Sequence, residues 1–192
     1  MTHRPVLAVV IASTRPGRIG EAIATWFVER ARDAGNFDVE LVDLAIVNLP
    51  IYDEAQQAIT RVYEHEHTQQ WSAMIARCDA FVFVMPEYNH SFNAALKNAL
   101  DYLFHEWRDK PVGLVGYGGV ASGTRAMQAL KPVLLALKLA FAGEVPINTN
   151  VTPVVDGDFL GNEAHERSAT ALLRELARLD GPLRALRQAP KP

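Results

Sequence analysis

The sequence predicts an α/β protein in which a parallel sheet lies between two layers of helices. Two observations carry this. Residues 5–11 (PVLAVVI) and 80–85 (AFVFVM) are apolar runs without alternation, the pattern of strands covered on both faces. The segments between such runs repeat their apolar residues at helical spacing, and alternation of strand and helix demands right-handed crossovers and a parallel sheet.

The elements follow in order. Residues 5–11 form the first strand. After a polar turn, Ile19, Ile23, Trp26, Phe27, Arg30 and Ala34 recur at helical spacing with Glu21, Thr25, Glu29 and Arg32 between them, and Gly35-Asn36 closes this amphipathic helix. A shorter strand is expected at 37–42, then a loop around 44–53 containing Pro50, then a polar helix ending near Arg77. Residues 80–85 form the third strand, which Pro86 stops. Phe92, Leu96, Ala99, Leu100 and Leu103 mark the next helix, with Ser91 or Asn93 as its cap.

Residues 111–116 (PVGLVG) are the fourth strand, followed by a glycine-rich stretch at 117–123. The helix after it carries Met127, Leu130, Leu134 and Leu137, and Pro132 is expected to kink it by removing one amide donor. A last strand is expected near 144–151, and a terminal amphipathic helix at 163–179 with Leu172, Leu173, Leu176 and Leu179. The tail from Gln188 is expected to be loose. Five strands in this alternation point to a flavodoxin-like three-layer sandwich with strand order 2-1-3-4-5. At 192 residues, 49% hydrophobic, the chain is long enough to form one domain over 1–192 with a sizeable core.

Composition excludes several function classes. Nineteen Lys and Arg against 22 Asp and Glu give a net charge of −3, where a nucleic-acid binder carries a basic excess. The apolar runs are far shorter than the roughly 18 residues of a membrane span. Cys78 is the single cysteine, so no intrachain disulfide forms, and no basic-then-apolar leader precedes the first strand. A cytoplasmic location is expected.

In an open parallel sheet, ligands bind beyond the carboxyl ends of the strands, where strand order reverses. The three turns there are chemically unusual. The first contains Ser13, Thr14, Arg15, Pro16, Gly17, Arg18, Ile19 and Gly20 at the start of a helix, with no acid between Ser13 and Gly20. Unpaired amides, the helix dipole and two guanidinium groups favour an anion such as phosphate, against a plain capped helix with solvated arginines. The G-x-G-x-x-G and G-x-x-x-x-G-K-[ST] fingerprints are absent. Asp43, at the end of the second strand, reads as an ordinary turn or cap aspartate. A cysteine phosphatase would need its nucleophile after the first strand, and Cys78 precedes the third.

The second turn, Pro86-Glu87-Tyr88-Asn89-His90-Ser91, combines a stiff proline, exposed amides and an aromatic side chain suited to a flat polar ring. The third, residues 116–123, concentrates four of twelve glycines and offers Ser122 as donor. No Ser-His-Asp set or paired carboxylates are evident. Glu64-His65-Glu66-His67 invites a metal reading, but residues two apart on a helix do not share a face, so a solvated helix is expected and no metal.

Together these loops resemble the NADPH-dependent FMN reductase family, from about residue 6 to 139. Ser13 to Gly20 looks like its phosphate loop, and Pro86 to Ser91 followed by Leu96-Lys97-Asn98-Ala99-Leu100-Asp101 looks like its flavin-ring motif. The resemblance implies that Ser13, Arg15, Arg18, Ile19 and Gly20 hold the FMN phosphate. It implies that Pro86, Glu87, Tyr88 and Asn89 line the ring, with Gly118, Gly119 and Ser122 on the far side. The family more often has Ser-x-Asn where Arg18-Ile19-Gly20 stand here. Glu87 is expected to bind rather than react, and to point outward or pair.

The implied activity is hydride transfer from NADPH or NADH to flavin N5 and then to a small-molecule acceptor such as a flavin, quinone or azo compound, with no acid–base dyad. Arg108, Lys110 and Arg125 are candidates for a 2′-phosphate pocket. The family also implies a homodimer or homotetramer, for which Tyr102, Phe104 and Trp107 are either interface or ordinary core. A non-catalytic electron carrier and a flavin-binding redox sensor are the alternatives, although carriers are usually strongly acidic.

Overall fold

The structure, a computed structural model, describes residues 4–189. Five parallel strands, β1 (Val6–Ile11), β2 (Asp38–Asp43), β3 (Ala80–Pro86), β4 (Pro111–Gly118) and β5 (Ala140–Asn148), form one sheet in the order β2-β1-β3-β4-β5. Helices α1 (Gly20–Ala34) and α6 (Glu163–Gln188) cover one face. Helices α3 (Glu66–Arg77), α4 (Ala94–Asp101) and α5 (Thr124–Ala136) cover the other, while the short α2 (Leu44–Val47) follows β2. This is the flavodoxin-like sandwich.

Burial on both faces explains why the central strands lack alternation. In β1, Leu7, Val9 and Ile11 pack with Ile23, Phe27, Leu172 and Leu176, whereas Ala8 and Val10 pack with the cluster of Trp71, Ile75, Leu100 and Leu130. Trp107 and Tyr102 are buried in that second cluster, with Phe104 packed against it, so this aromatic group is core. Their rings meet Phe81 and Tyr52 edge-on at centroid distances of 5.0 Å.

Several boundaries differ from the sequence expectation. Strand β3 continues through Pro86, because the ladder to β4 is kept by the Glu87 amide donating to the Tyr117 carbonyl at 2.9 Å. Strand β4 likewise takes in Tyr117 and Gly118, paired with Ile147 and Asn148, which shortens the expected glycine loop. Strand β5 starts at Ala140 instead of 144 and stops at Asn148. Its register slips between Val112 and Gly113, leaving Ala142 as the bulged residue, and it lies at the sheet edge, so its periodicity is weak.

Helix α5 runs through Pro132 to Ala136 as one element. Helix α6 extends to Gln188, nine residues past the expected end and through Gly181-Pro182. Contacts across the fold hold the extension: Arg187 pairs with Asp79 at 3.0 Å and donates to the Asp109 carbonyl at 2.7 Å, and Arg184 pairs with Asp79 at 3.7 Å as well as with Asp180, one turn back in α6, at 2.6 Å. Gln188 is therefore helical, and residues 190–192 of the expected loose tail lie outside the described residues.

Near the start of α6, the buried His165 sits among Trp26 and Phe159, and burial lowers its pKa from 6.5. The folded state thus binds fewer protons than the unfolded state below that value, so stability is complete above it and declines as pH falls through it. Urea midpoints are expected to drop as the pH is lowered from about 6.5 into the acid range. A His165→Gln variant should show a shallower slope over that interval, and an unchanged slope would clear His165 of the effect.

Candidate functional site

Strand order reverses between β1 and β3, so the loops after β1, β3 and β4 share the edge where that fold places ligands. Backbone and side-chain bonds tie them together. The Ala12 amide donates to the Val84 carbonyl at 2.9 Å, and Asn93 Nδ2 donates to the Ala12 carbonyl at 2.6 Å. Asn93 occupies the cap position of α4, but its side chain makes no capping bond and crosses to the first loop. Ser13, fully buried, meets the Tyr88 hydroxyl at 3.2 Å, joining the first loop to the second.

The two arginines of the first loop have separate situations. Arg18 is mostly buried and held: its guanidinium pairs with Asp43 at 2.6 Å and with Glu21, and donates to the Ser13 carbonyl at 3.2 Å. Both acids lie outside the acid-free window of residues 13–20. Asp43 also accepts the Ala45 amide as cap of α2, so the ordinary reading of this aspartate holds, with an ion pair added. Arg15 is exposed and has no ion pair among the described residues. Ile19 takes the cap position of α1 and supplies no side-chain acceptor.

The second loop is a two-residue hairpin. Tyr88 and Ser91 exchange backbone bonds at 2.9 and 3.0 Å, and Asn89 and His90 adopt φ of 50° and 65°, the geometry of a type I′ turn. The Glu87 carboxylate turns toward α5, accepting the Arg125 amide at 3.1 Å and the Arg125 guanidinium at 3.3 Å. The expected pairing of this charge is present, at a helix N-terminus that favours it.

The third loop is braced by β5: the Ser122 carbonyl accepts the Ile147 amide at 3.1 Å, and the Gly118 carbonyl accepts the Thr149 amide at 2.9 Å. Gly123 has φ of +77°, and a Cβ there would fall 2.3 Å from the Gly116 carbonyl carbon. Gly119 faces the Asn150 side chain, and Gly118 packs beside the Cβ of Glu87.

Sequence reasoning missed Tyr117. Its side chain lies under the first turn of α1, so close that a Cβ on Gly20 would be 2.7 Å from its hydroxyl oxygen. The only sequence trace of that contact is a glycine at position 20.

The histidine pair also departs from expectation. His65 precedes α3 with extended backbone, so its ring stacks on that of His67 at 5.1 Å instead of pointing away. His67 pairs with Asp53 at 3.0 Å, and Tyr102 donates to the same carboxylate at 2.8 Å. The Asp53 pKa is lowered, because these hydrogen bonds together outweigh the opposing effect of desolvation. No metal-holding group of three or more His, Cys, Asp or Glu occurs among the described residues. Nor is any described helix long and apolar enough to cross a membrane.

The donor set fits a flavin mononucleotide. A helix start without a side-chain cap, an unpaired arginine beside it and a buried, unpartnered Tyr117 hydroxyl suit a phosphate. The Tyr88 hairpin and glycine-rich loop leave backbone and an aromatic face for a ring.

Comparison with known proteins agrees. The family model for NADPH-dependent FMN reductases matches residues 5–152. The chain is 44% identical over 147 residues to an NAD(P)H-dependent FMN reductase of Schizosaccharomyces pombe, covering 76% of this chain and 73% of the relative. It is 33% identical over 136 residues to the NADPH azoreductase of Bacillus sp. strain OY1-2, covering 68% and 71%. Among solved structures, the flavoenzyme NAD(P)H:acceptor oxidoreductase FerB of Paracoccus denitrificans superposes with a TM-score of 0.67 at 21% identity, over 94% of this chain and 98% of that one. All three loops fall inside the matched region, and with them the chain belongs to the NADPH-dependent FMN reductase family.

Proposed function

We propose that Ser13, Arg15, Ile19 and Gly20 receive the FMN phosphate at the start of α1, with Arg18 shaping that loop from its pairs with Asp43 and Glu21. Pro86, Glu87, Tyr88 and Asn89 border the ring, and Gly118, Gly119 and Ser122 close its other side. Family membership makes the chain an NAD(P)H-dependent flavin oxidoreductase. FMN held by these residues would supply the redox chemistry that links NAD(P)H to an acceptor.

The residues of the chain therefore act by position and electrostatics. The α1 N-terminus and Arg15 anchor the phosphate end, and the hairpin at Tyr88 fixes the depth of the ring. Glu87 is neutralised by Arg125 so that no bare carboxylate faces the ring. We assign flavins, quinones and azo compounds as acceptor classes, after the activities of the relatives. The reading also takes the chain as one FMN-binding domain in a cytoplasmic homodimer or homotetramer.

The observation that carries this reading is the convergence of an uncapped helix start, a free arginine and a hairpin aromatic on one sheet edge. Its test is anaerobic titration of the FMN-loaded protein with NADPH and then NADH, followed by flavin absorbance. Rapid stoichiometric bleaching is expected. Flavin that binds but stays oxidised with both nucleotides would favour the carrier or sensor, and failure to retain FMN would end the site assignment.

A further inference from the structure

We propose that the Tyr117 hydroxyl is a direct hydrogen-bond donor to the cofactor phosphate, and so a determinant of binding FMN in preference to riboflavin. The inference rests on the phosphate-loop reading above and extends it to a residue from β4, outside that loop.

Tyr117 is 5% exposed, its ring packed in the core under α1. Its hydroxyl is buried and completes no hydrogen bond, although Ser13, which is bonded to Tyr88, stands near enough to lower its pKa. A buried hydroxyl without a partner is unfavourable, and native structures rarely keep one without a reason. Its position is fixed by Gly20, where any added Cβ would stand 2.7 Å from the oxygen. Gly20 is the first residue of α1, the 15-residue helix whose start has no side-chain cap. The unpartnered hydroxyl thus lies against the first residue of the helix whose start has no side-chain cap.

The surroundings agree. Burial raises the Tyr117 pKa, while Ser13 and the charges of Arg15 and Arg18 act against that rise and Tyr88 adds to it. The phenol is consequently protonated at neutral pH, which is the form that donates. Of the loop's own side chains, Arg18 is committed to Asp43 and Ser13 shares its hydroxyl with Tyr88. Tyr117 adds a donor from β4, under α1.

The experiment titrates the flavin-free protein with FMN and with riboflavin, following flavin fluorescence, in the wild type and the Tyr117→Phe variant. The wild type should prefer FMN, and Tyr117→Phe should lose roughly tenfold in FMN affinity while riboflavin affinity is unchanged. Equal loss for both flavins would mean a structural role and overturn the proposal, as would no loss. Arg15→Ala run in parallel separates the two readings. If Arg15→Ala loses the preference and Tyr117→Phe keeps it, only the Tyr117 assignment falls. If the wild type has no preference, the phosphate-loop reading falls and this inference with it.

Thermal unfolding without flavin checks the geometry. Gly20→Ala should lower the Tm, and adding Tyr117→Phe should recover most of the loss, because the next atoms, Tyr117 Cζ and Ile11 Cγ2, lie at an ordinary 3.5 Å. Absence of recovery would place the hydroxyl elsewhere and overturn the proposal.

Discussion

Replacing Arg15 by alanine is expected to weaken FMN binding ten- to hundredfold, or roughly 1.5–3 kcal/mol, the worth of a hydrogen bond to a charged group. The two arginines of the first loop differ in their partners. Arg18 already spends its guanidinium on Asp43, Glu21 and the Ser13 carbonyl, whereas Arg15 is exposed beside the uncapped start of α1 and pairs with no described residue. Arg15→Ala should therefore leave the flavin-free protein as stable as before and act on binding alone.

Arg18→Ala should behave in the opposite way. It strands Asp43 at the end of β2 and lowers stability whether or not flavin is present, since an acid losing its partner keeps the desolvation penalty. Fluorescence titration together with urea unfolding distinguishes the two variants. An unchanged FMN affinity in Arg15→Ala would remove that residue from the site.

Gly123→Ala is expected to be among the most damaging single-methyl additions in the chain. The backbone there has φ of +77°, and the new Cβ would fall 2.3 Å from the carbonyl carbon of Gly116 and 2.4 Å from the amide of Tyr117. Forcing an L side chain into the left-handed region costs roughly 1–2 kcal/mol. Overpacking against atoms that cannot rotate away adds roughly 1–3 kcal/mol. The combined loss, about 2–5 kcal/mol, should appear as a lower urea midpoint, and it should weaken FMN binding because Tyr117 and Gly118 shift with it.

Gly119→Ala is the control. Its nearest neighbour is the Asn150 side chain at 3.4 Å, and its φ lies outside the left-handed region, so the midpoint should change by no more than about 0.5 kcal/mol. Equal behaviour of the two variants would mean that the third loop is not seated against β4 in the way described.

Most of the architecture was legible from residue order. Continuous apolar strands, helical periodicity and the proline and glycine punctuation reproduce β1, α1 and α3, and they locate β3, β4 and the three loops at one sheet edge. The segments proposed for the phosphate and the ring stand out in the sequence for a related reason, since both are contiguous and lie within single turns. The misplacements came where long-range contacts override local pattern. Gly181-Pro182 reads as a stop, yet α6 passes through it because Arg184 and Arg187 both find Asp79 across the fold. His65 and His67 read as opposed on a helix, yet stack because the helix begins between them.

By itself, then, the sequence determined the alternation of strands and helices, and with it the fold class, together with the residue types of the three loops, because each depends on short-range periodicity and on residues within one turn. Only the tertiary structure decided which arginine is free, where the charge of Glu87 goes and that Tyr117 reaches under α1 to Gly20. Those outcomes depend on side chains from separate strands meeting in space, and a pairing of that kind leaves no periodic trace along the chain.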